Sequence, residues 1–110
     1  LFFRCMPPVP LLLYEAVTAA VYTKARVVID GTFRAGWYSK ALIKALPPNG
    51  QVIAFEGDPA MWDSGQALQH QHGPDRFHFF PAPFGSLTSR EAMSHAITGL
   101  SPAGVDSVVL

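Results

Sequence analysis

The stretch VVIDGTFRAGWYSKALIKALPPNGQVIAFEGDP, Val27 to Pro59, decides the fold. Val27-Val28-Ile29 is a short β-branched run without polar alternation, the pattern of a strand buried on both faces. Asp30-Gly31-Thr32 breaks it. A helix is predicted from about Trp37 to Leu46, with Ala41, Leu42, Ala45 and Leu46 on one apolar stripe and Lys40 and Lys44 off it. Pro47-Pro48-Asn49-Gly50 stops that helix and turns the chain. Val52-Ile53-Ala54-Phe55 is a second buried strand, and it closes on Glu56. Strand, tight turn, helix, turn, strand and a terminal acid form the first half of a nucleotide-type binding fold. A ligand is expected where the first strand hands over to the helix.

Reading outward, residues 1 to 10 carry Pro7, Pro8 and Pro10 and read as an extended lead-in, with Pro10 suited to a helix start. Leu13, Val17 and Ala20/Val21 then recur at helical spacing up to about Tyr22. On the other side, Asp58-Pro59 reads as a helix cap followed by proline in the first turn. The helix it opens carries Met61 and Leu68 in phase and fades near His72-Gly73-Pro74. Phe77 to Phe80 is a third strand. Thr88 to Glu91 fits a capping box, and its helix, with Ala92, Ala96 and Ile97, ends at Gly99. Ser107 to Leu110, after Asp106, is the last strand. Helices and strands alternate throughout. The class is therefore α/β, a parallel sheet with helices on both faces and right-handed crossovers.

Composition bounds the rest. The chain has 110 residues, enough for one small domain, and its 49% hydrophobic content is globular rather than disordered. Eight Lys+Arg balance eight Asp+Glu, which argues against a strongly basic nucleic-acid domain. Cys5 stands alone, so no internal disulfide can form and a reducing compartment is compatible. No apolar run approaches the ~20 residues of a membrane span. The chain begins at Leu1 and stops on Val108-Val109-Leu110, in what reads as a strand, so residues 1–110 are taken as the N-terminal part of a longer domain.

Three segments are expected to converge at the carboxyl ends of the strands: Asp30 to Ser39, Glu56-Gly57-Asp58, and Pro81 to Phe84. Glu56 lies 20 positions beyond Gly36, the interval at which an acid accepts from ribose hydroxyls. Phe84 is placed to lie against an adenine ring. Asp30 reads either as a strand-end turn former or as support for the ligand loop. Asp58 reads as a cap, and Trp37 and Tyr38 as packing residues. His70 and His72 read as solvated rather than as a metal pair, for want of a third ligand. His78 reads as a strand residue facing polar surroundings. Arg90 and the lysines read as solvated faces, and the phenylalanines at 77, 79 and 80 as core. Dehydrogenases and methyltransferases share this pattern, but the turn lacks the G-x-G-x-x-G of a dinucleotide-binding oxidoreductase.

Several strings together resemble one family. IDGTF at 29–33, Gly36, Ser39, LPPNGQVIAFEGDP at 46–59, DRFHFFPAPFGSL at 75–87 and VDSVVL at 105–110 are similar to the RsmH/MraW family, as is PLLLYEAV at 10–17. The family comprises S-adenosyl-L-methionine-dependent methyltransferases that modify the exocyclic N4 of a cytosine in small-subunit ribosomal RNA. The resemblance implies a Rossmann-like class I methyltransferase fold. It places Gly36, Trp37 and Tyr38 on the family's Gly-Gly-His cofactor loop, Glu56 on its ribose-binding Asp, and Phe84 on a Phe beside the cofactor. With Asp30 these are the candidate cofactor residues; no catalytic residue and no metal ligand is assigned. Pro8 stands where the family has a histidine.

The loop departs from the family pattern. Arg34 and Trp37 replace glycines, and Tyr38 replaces the histidine. The resemblance implies an rRNA methyltransferase whose partners are small-subunit ribosomal RNA and ribosomal or assembly proteins. The altered loop supports an alternative, a catalytically inactive relative that assists small-subunit assembly. The mitochondrial matrix or the cytoplasm is the expected compartment.

Overall fold

The computed structural model describes residues 13–20, 26–85 and 106–109. In chain order these form helix α1 (Leu13–Ala20), strand β1 (Val27–Asp30), helix α2 (Trp37–Ala45), strand β2 (Gln51–Phe55), a 3-10 turn (Pro59–Met61), helix α3 (Trp62–His72), strand β3 (Phe77–Phe80) and strand β4 (Ser107–Val109). The strands make one sheet in the order β3-β2-β1-β4, parallel throughout. Val28 pairs with Val52 on one side and Ser107 on the other, and Val52 pairs with Phe77. The chain is α/β with a Rossmann-like sheet. The lead-in at 1–10, the helix start at Pro10, the capping box at Thr88 to Glu91 and the helix after it lie outside the described residues.

Alternation along the strands divides the core in two. Val28, Val52, Ala54, Phe77 and Phe79 face one side, where α1, α2 and α3 bring Val17, Leu42, Ile43, Leu46 and Leu68 against them. Val27, Ile29, Ile53 and Phe55 face the other, where Phe80 and Phe84 join them. Among the described residues, all three helices cover the first face.

The helices take their positions from a few specific contacts. In α2 the buried residues are Ser39, Leu42 and Ile43, with Leu46 just beyond. The predicted stripe is thereby corrected. Ala45 is exposed and Ile43 is buried, because the face shared by Ser39, Leu42 and Leu46 takes in Ile43 and leaves Ala45 about 100° from its centre. Gly65 lets α3 settle onto the sheet, since a Cβ there would overlap the Phe79 ring. Gln69 Oε1 accepts from the Phe79 N–H at 2.8 Å, which ties α3 to β3 at the end of the described sheet.

The far end of α2 is held by Arg76. Its Nη1 donates to the carbonyls of Pro47 and Gly50, both at 2.6 Å. Its Nη2 donates to Ile43 at 2.6 Å and Leu46 at 3.4 Å. A helix C-terminus leaves carbonyls without partners, and one guanidinium serves several of them together with the turn that follows. At the same end, the Asp106 carboxylate accepts from the Arg26 and Val27 amides at 2.7 and 2.9 Å. Those bonds hold its pKa below the usual carboxylate value.

Candidate functional site

The site is built at the carboxyl ends of β1, β2 and β3. A cavity of about 300 Å³ opens there. Gly31 and Thr32 line it after β1, Phe55, Glu56 and Gly57 at the end of β2, and Pro83 and Phe84 after β3. The three segments expected to converge therefore do. This volume is at the lower end of small-molecule sites, enough for a nucleoside-sized group.

Among the described residues of that wall Glu56 alone is charged, and it is 5% exposed. Its carboxylate bridges two loops. Oε1 accepts from the Arg34 N–H at 2.6 Å, and Oε2 from the Asp58 N–H at 3.0 Å. Each oxygen has a second lone pair after that bond, so the group can still accept from ligand hydroxyls. The main chain of Glu56 is fixed as well: its N–H donates to Phe80 O, and its carbonyl accepts from Trp62 Nε1 at 2.7 Å. Nothing in the sequence pattern signalled this bracing, which depends on loops 22 residues apart meeting.

The aromatic part of the wall is continuous with the second core face. Phe84 meets Phe55 edge-on at 5.3 Å between centroids, and Phe55 stacks on Phe80 at 5.0 Å. Gly57 packs closely on Pro83; a Cβ there would sit 3.1 Å from the proline ring. One side of the cavity is thus apolar and the other carries a carboxylate. That donor set fits the adenosyl half of a cofactor, with a flat base on Phe84 and two adjacent hydroxyls on Glu56.

The β1–α2 loop is wound tightly. The Phe33 N–H donates to Phe55 O at 2.9 Å, and the Phe33 ring turns inward against Phe77 and Phe79. Phe33 was missed in the sequence, although an aromatic inside a polar turn was the available signal. Gly36, at φ 87°, lies over that ring, where a Cβ would come within 2.9 Å of it. Arg34 adopts φ 53°, a left-handed conformation that costs an L-residue about 1 kcal/mol. Its side chain is exposed.

The other candidates take different places. Asp30, 1% exposed, accepts from Thr32 N–H at 3.2 Å and from Ser39 Oγ at 2.7 Å, and so joins the loop to α2. Burial pushes its pKa up to about 6; the Ser39 and Thr32 bonds oppose this and the Glu56 charge adds to it. Tyr38 packs against the helical-side core. Trp37 is half-buried in the first turn of α2, and its Nε1–H has no acceptor among the described residues. Neither ring lines the cavity, nor does Asp30 or Gly36. Asp58 is a cap: its side chain accepts from Ala60 N–H at 3.0 Å.

His78 requires a correction. It lies against Phe80 at 4.6 Å on the face of Ile53, not in polar surroundings. Burial lowers its pKa, and its Nδ1 finds no partner among the described residues. A strand position is set by register, and register put His78 on the apolar face. His70 and His72 are exposed at the end of α3. Among the described residues no three His, Cys, Asp or Glu side chains gather, and no helix is long and apolar enough to cross a membrane.

Known proteins now supply a context. No protein-family model matches the chain. It is 36% identical over 102 residues to a ribosomal RNA small subunit methyltransferase H of Rhizobium leguminosarum bv. trifolii (strain WSM1325), covering 93% of this chain and 26% of that protein. It is 33% identical over 105 residues to the protein of the same name from Brucella anthropi, covering 93% of this chain and 27% of that one. Over the segment it spans, the chain is similar to the RsmH family. That segment is about a quarter of the length of these curated relatives. Against the RsmH pattern, the loop substitutions become legible. Arg34 adopts a left-handed backbone, the conformation glycine takes without strain, and its side chain is exposed. Trp37 follows Gly36 as the first helical residue rather than entering the cavity.

Proposed function

We propose that the chain is the cofactor-holding part of an S-adenosyl-L-methionine-dependent methyltransferase that acts on small-subunit ribosomal RNA, at the exocyclic N4 of a cytosine. The observation that supports this most is the cavity wall, where a doubly braced Glu56 faces an apolar surface formed by Phe55, Pro83 and Phe84. The relatives' name, ribosomal RNA small subunit methyltransferase H, agrees with methyl transfer to small-subunit ribosomal RNA.

In this reading Glu56 accepts from the two ribose hydroxyls while the Arg34 and Asp58 amides fix its carboxylate. Phe84 lies against the adenine. Gly31 and Thr32 allow backbone to approach the ligand, and Asp30 holds their loop through Thr32 and Ser39. When bound, the cofactor supplies a methyl group on a sulfonium, for transfer to an amine. The protein's part is to hold that methyl in line with the amine nitrogen and exclude water. The base must be unstacked to reach it.

A second reading, an assembly factor without methyl transfer, is favoured by Trp37. The resemblance puts this indole in place of a glycine, and since its ring does not line the cavity, its effect on the cofactor would act through the β1–α2 loop. Calorimetric titration of S-adenosyl-L-methionine into the full-length protein separates the two readings. Micromolar binding, weakened at least tenfold by Glu56→Ala, supports the methyltransferase. No binding by the native form, with binding gained by Trp37→Gly, overturns it in favour of the scaffold.

A further inference from the structure

Charge along this neutral chain is segregated. Between Asp30 and Glu56 there are three cations, Arg34, Lys40 and Lys44, and no acid. All three side chains are exposed. None makes a hydrogen bond or ion pair among the described residues. At 100° per residue, Trp37, Lys40 and Lys44 fall within an arc of about 60° on α2, opposite the buried Ser39, Leu42, Ile43 and Leu46. Arg34 precedes that arc, and its own amide touches the Glu56 carboxylate in the cavity wall. The Lys40 stem leans back toward the loop: its Cε is 3.4 Å from where a Gly36 Cβ would stand. The stripe therefore starts beside the cavity and descends the outer side of α2 for about 10 Å.

We propose that this stripe is a track for the phosphates of single-stranded RNA entering the site. The inference rests on the methyltransferase reading, which requires an unpaired base at the cavity and hence a strand leading away from it. Charge complementarity names the occupant. A polyanion gains by displacing counterions onto a run of cations with no acid between them in the chain, and each such contact contributes to the salt dependence of binding. Arg76 is not part of the track, because its guanidinium is engaged by four carbonyls.

The test measures binding of a labelled single-stranded RNA to the full-length protein across a range of salt concentrations. The double variant Lys40→Gln/Lys44→Gln should bind about 10-fold more weakly, with a salt slope shallower by about 1.4 in log–log units. Arg26→Gln, at the opposite end of β1, should leave the slope unchanged. Unaltered affinity and slope in the double variant overturn the proposal, as does a native protein that binds no RNA. An equal loss against duplex RNA of the same length overturns the single-strand assignment. S-adenosyl-L-methionine titrated into the same variant separates this inference from the reading beneath it. Normal cofactor binding with no RNA defect sinks the track alone. An RNA defect in a protein that never binds cofactor leaves the track and sinks the enzyme.

Discussion

The two ends of the α/β unit meet the same physical demand with opposite chemistry. At the carboxyl ends of the strands, loop amides need acceptors, and the carboxylates of Asp30 and Glu56 provide them. At the far end of α2, helix and turn carbonyls need donors, and Arg76 provides those. The Arg76 end is closed, in that its guanidinium is engaged by four carbonyls. The carboxylate end is open. Glu56 keeps lone pairs in hand and faces a cavity, and Asp30 is held at a raised pKa by burial. Stability accumulates where groups are saturated; ligand chemistry needs a place where they are not.

Substitutions should separate the two ends. Arg76→Met is expected to have the largest effect, because it leaves several carbonyls without a donor: a loss of about 3 kcal/mol in urea unfolding, with little change in cofactor affinity among the molecules that remain folded. A loss below 1 kcal/mol would show that water replaces the guanidinium. Glu56→Gln should do the reverse. It preserves shape but turns one acceptor into a donor facing an amide, so calorimetric affinity for S-adenosyl-L-methionine should fall at least tenfold while stability moves less than in the Arg76 variant.

Asp30 tests the cost of burial at the open end. Its folded pKa, about 6, lies above the ordinary 3.8. Below about pH 4 both folded and unfolded chains carry the proton. As pH rises toward 6 the unfolded chain ionises first, so stability falls across that window and stays lower above it. Asp30→Asn retains an oxygen for Thr32 and presents its amide to the Ser39 hydroxyl. It should flatten that slope and stabilise the chain at pH 7 by about 2 kcal/mol. A slope that persists in the variant assigns it to another group. The smallest effect is expected from Arg34→Gly. Relief of the left-handed strain is partly offset by the freedom glycine gains when unfolded, leaving a gain under about 1 kcal/mol in thermal melts. A loss would mean that the arginine side chain contributes to stability.

Much of this architecture was legible before any coordinates. Runs such as Val27-Val28-Ile29 and Phe77 to Phe80 carry their strand character in residue type, and Asp58-Pro59 carries its cap chemistry in two letters. The placement of Glu56, Phe84 and the β1 turn around one cavity followed from topology alone. The parts that were not legible depend on distant segments meeting. Arg76 reads as an ordinary polar residue until the turn at 47–50 folds beneath it. Phe33 reads as part of a loop until Phe77 and Phe79 arrive. His78 was misjudged because the face a strand residue takes is decided by pairing, not by its neighbours in sequence. Within the loop, Trp37 reads from residue type as a packing residue, and the backbone carries it onto the first turn of α2.

The central strand β1 has a consequence for how the chain is made. It is completed on one side by β2, which follows closely, and on the other by β4, whose lead residue Asp106 bonds Val27 across a separation of 79 residues. During synthesis β1 can pair with β2, and β2 with β3, while the second edge of β1 still exposes a row of unpaired amides and carbonyls. Until Ser107 to Val109 emerge, that edge is a template open to any extended peptide. A protein stalled before that point is the form in which it is most prone to aggregate.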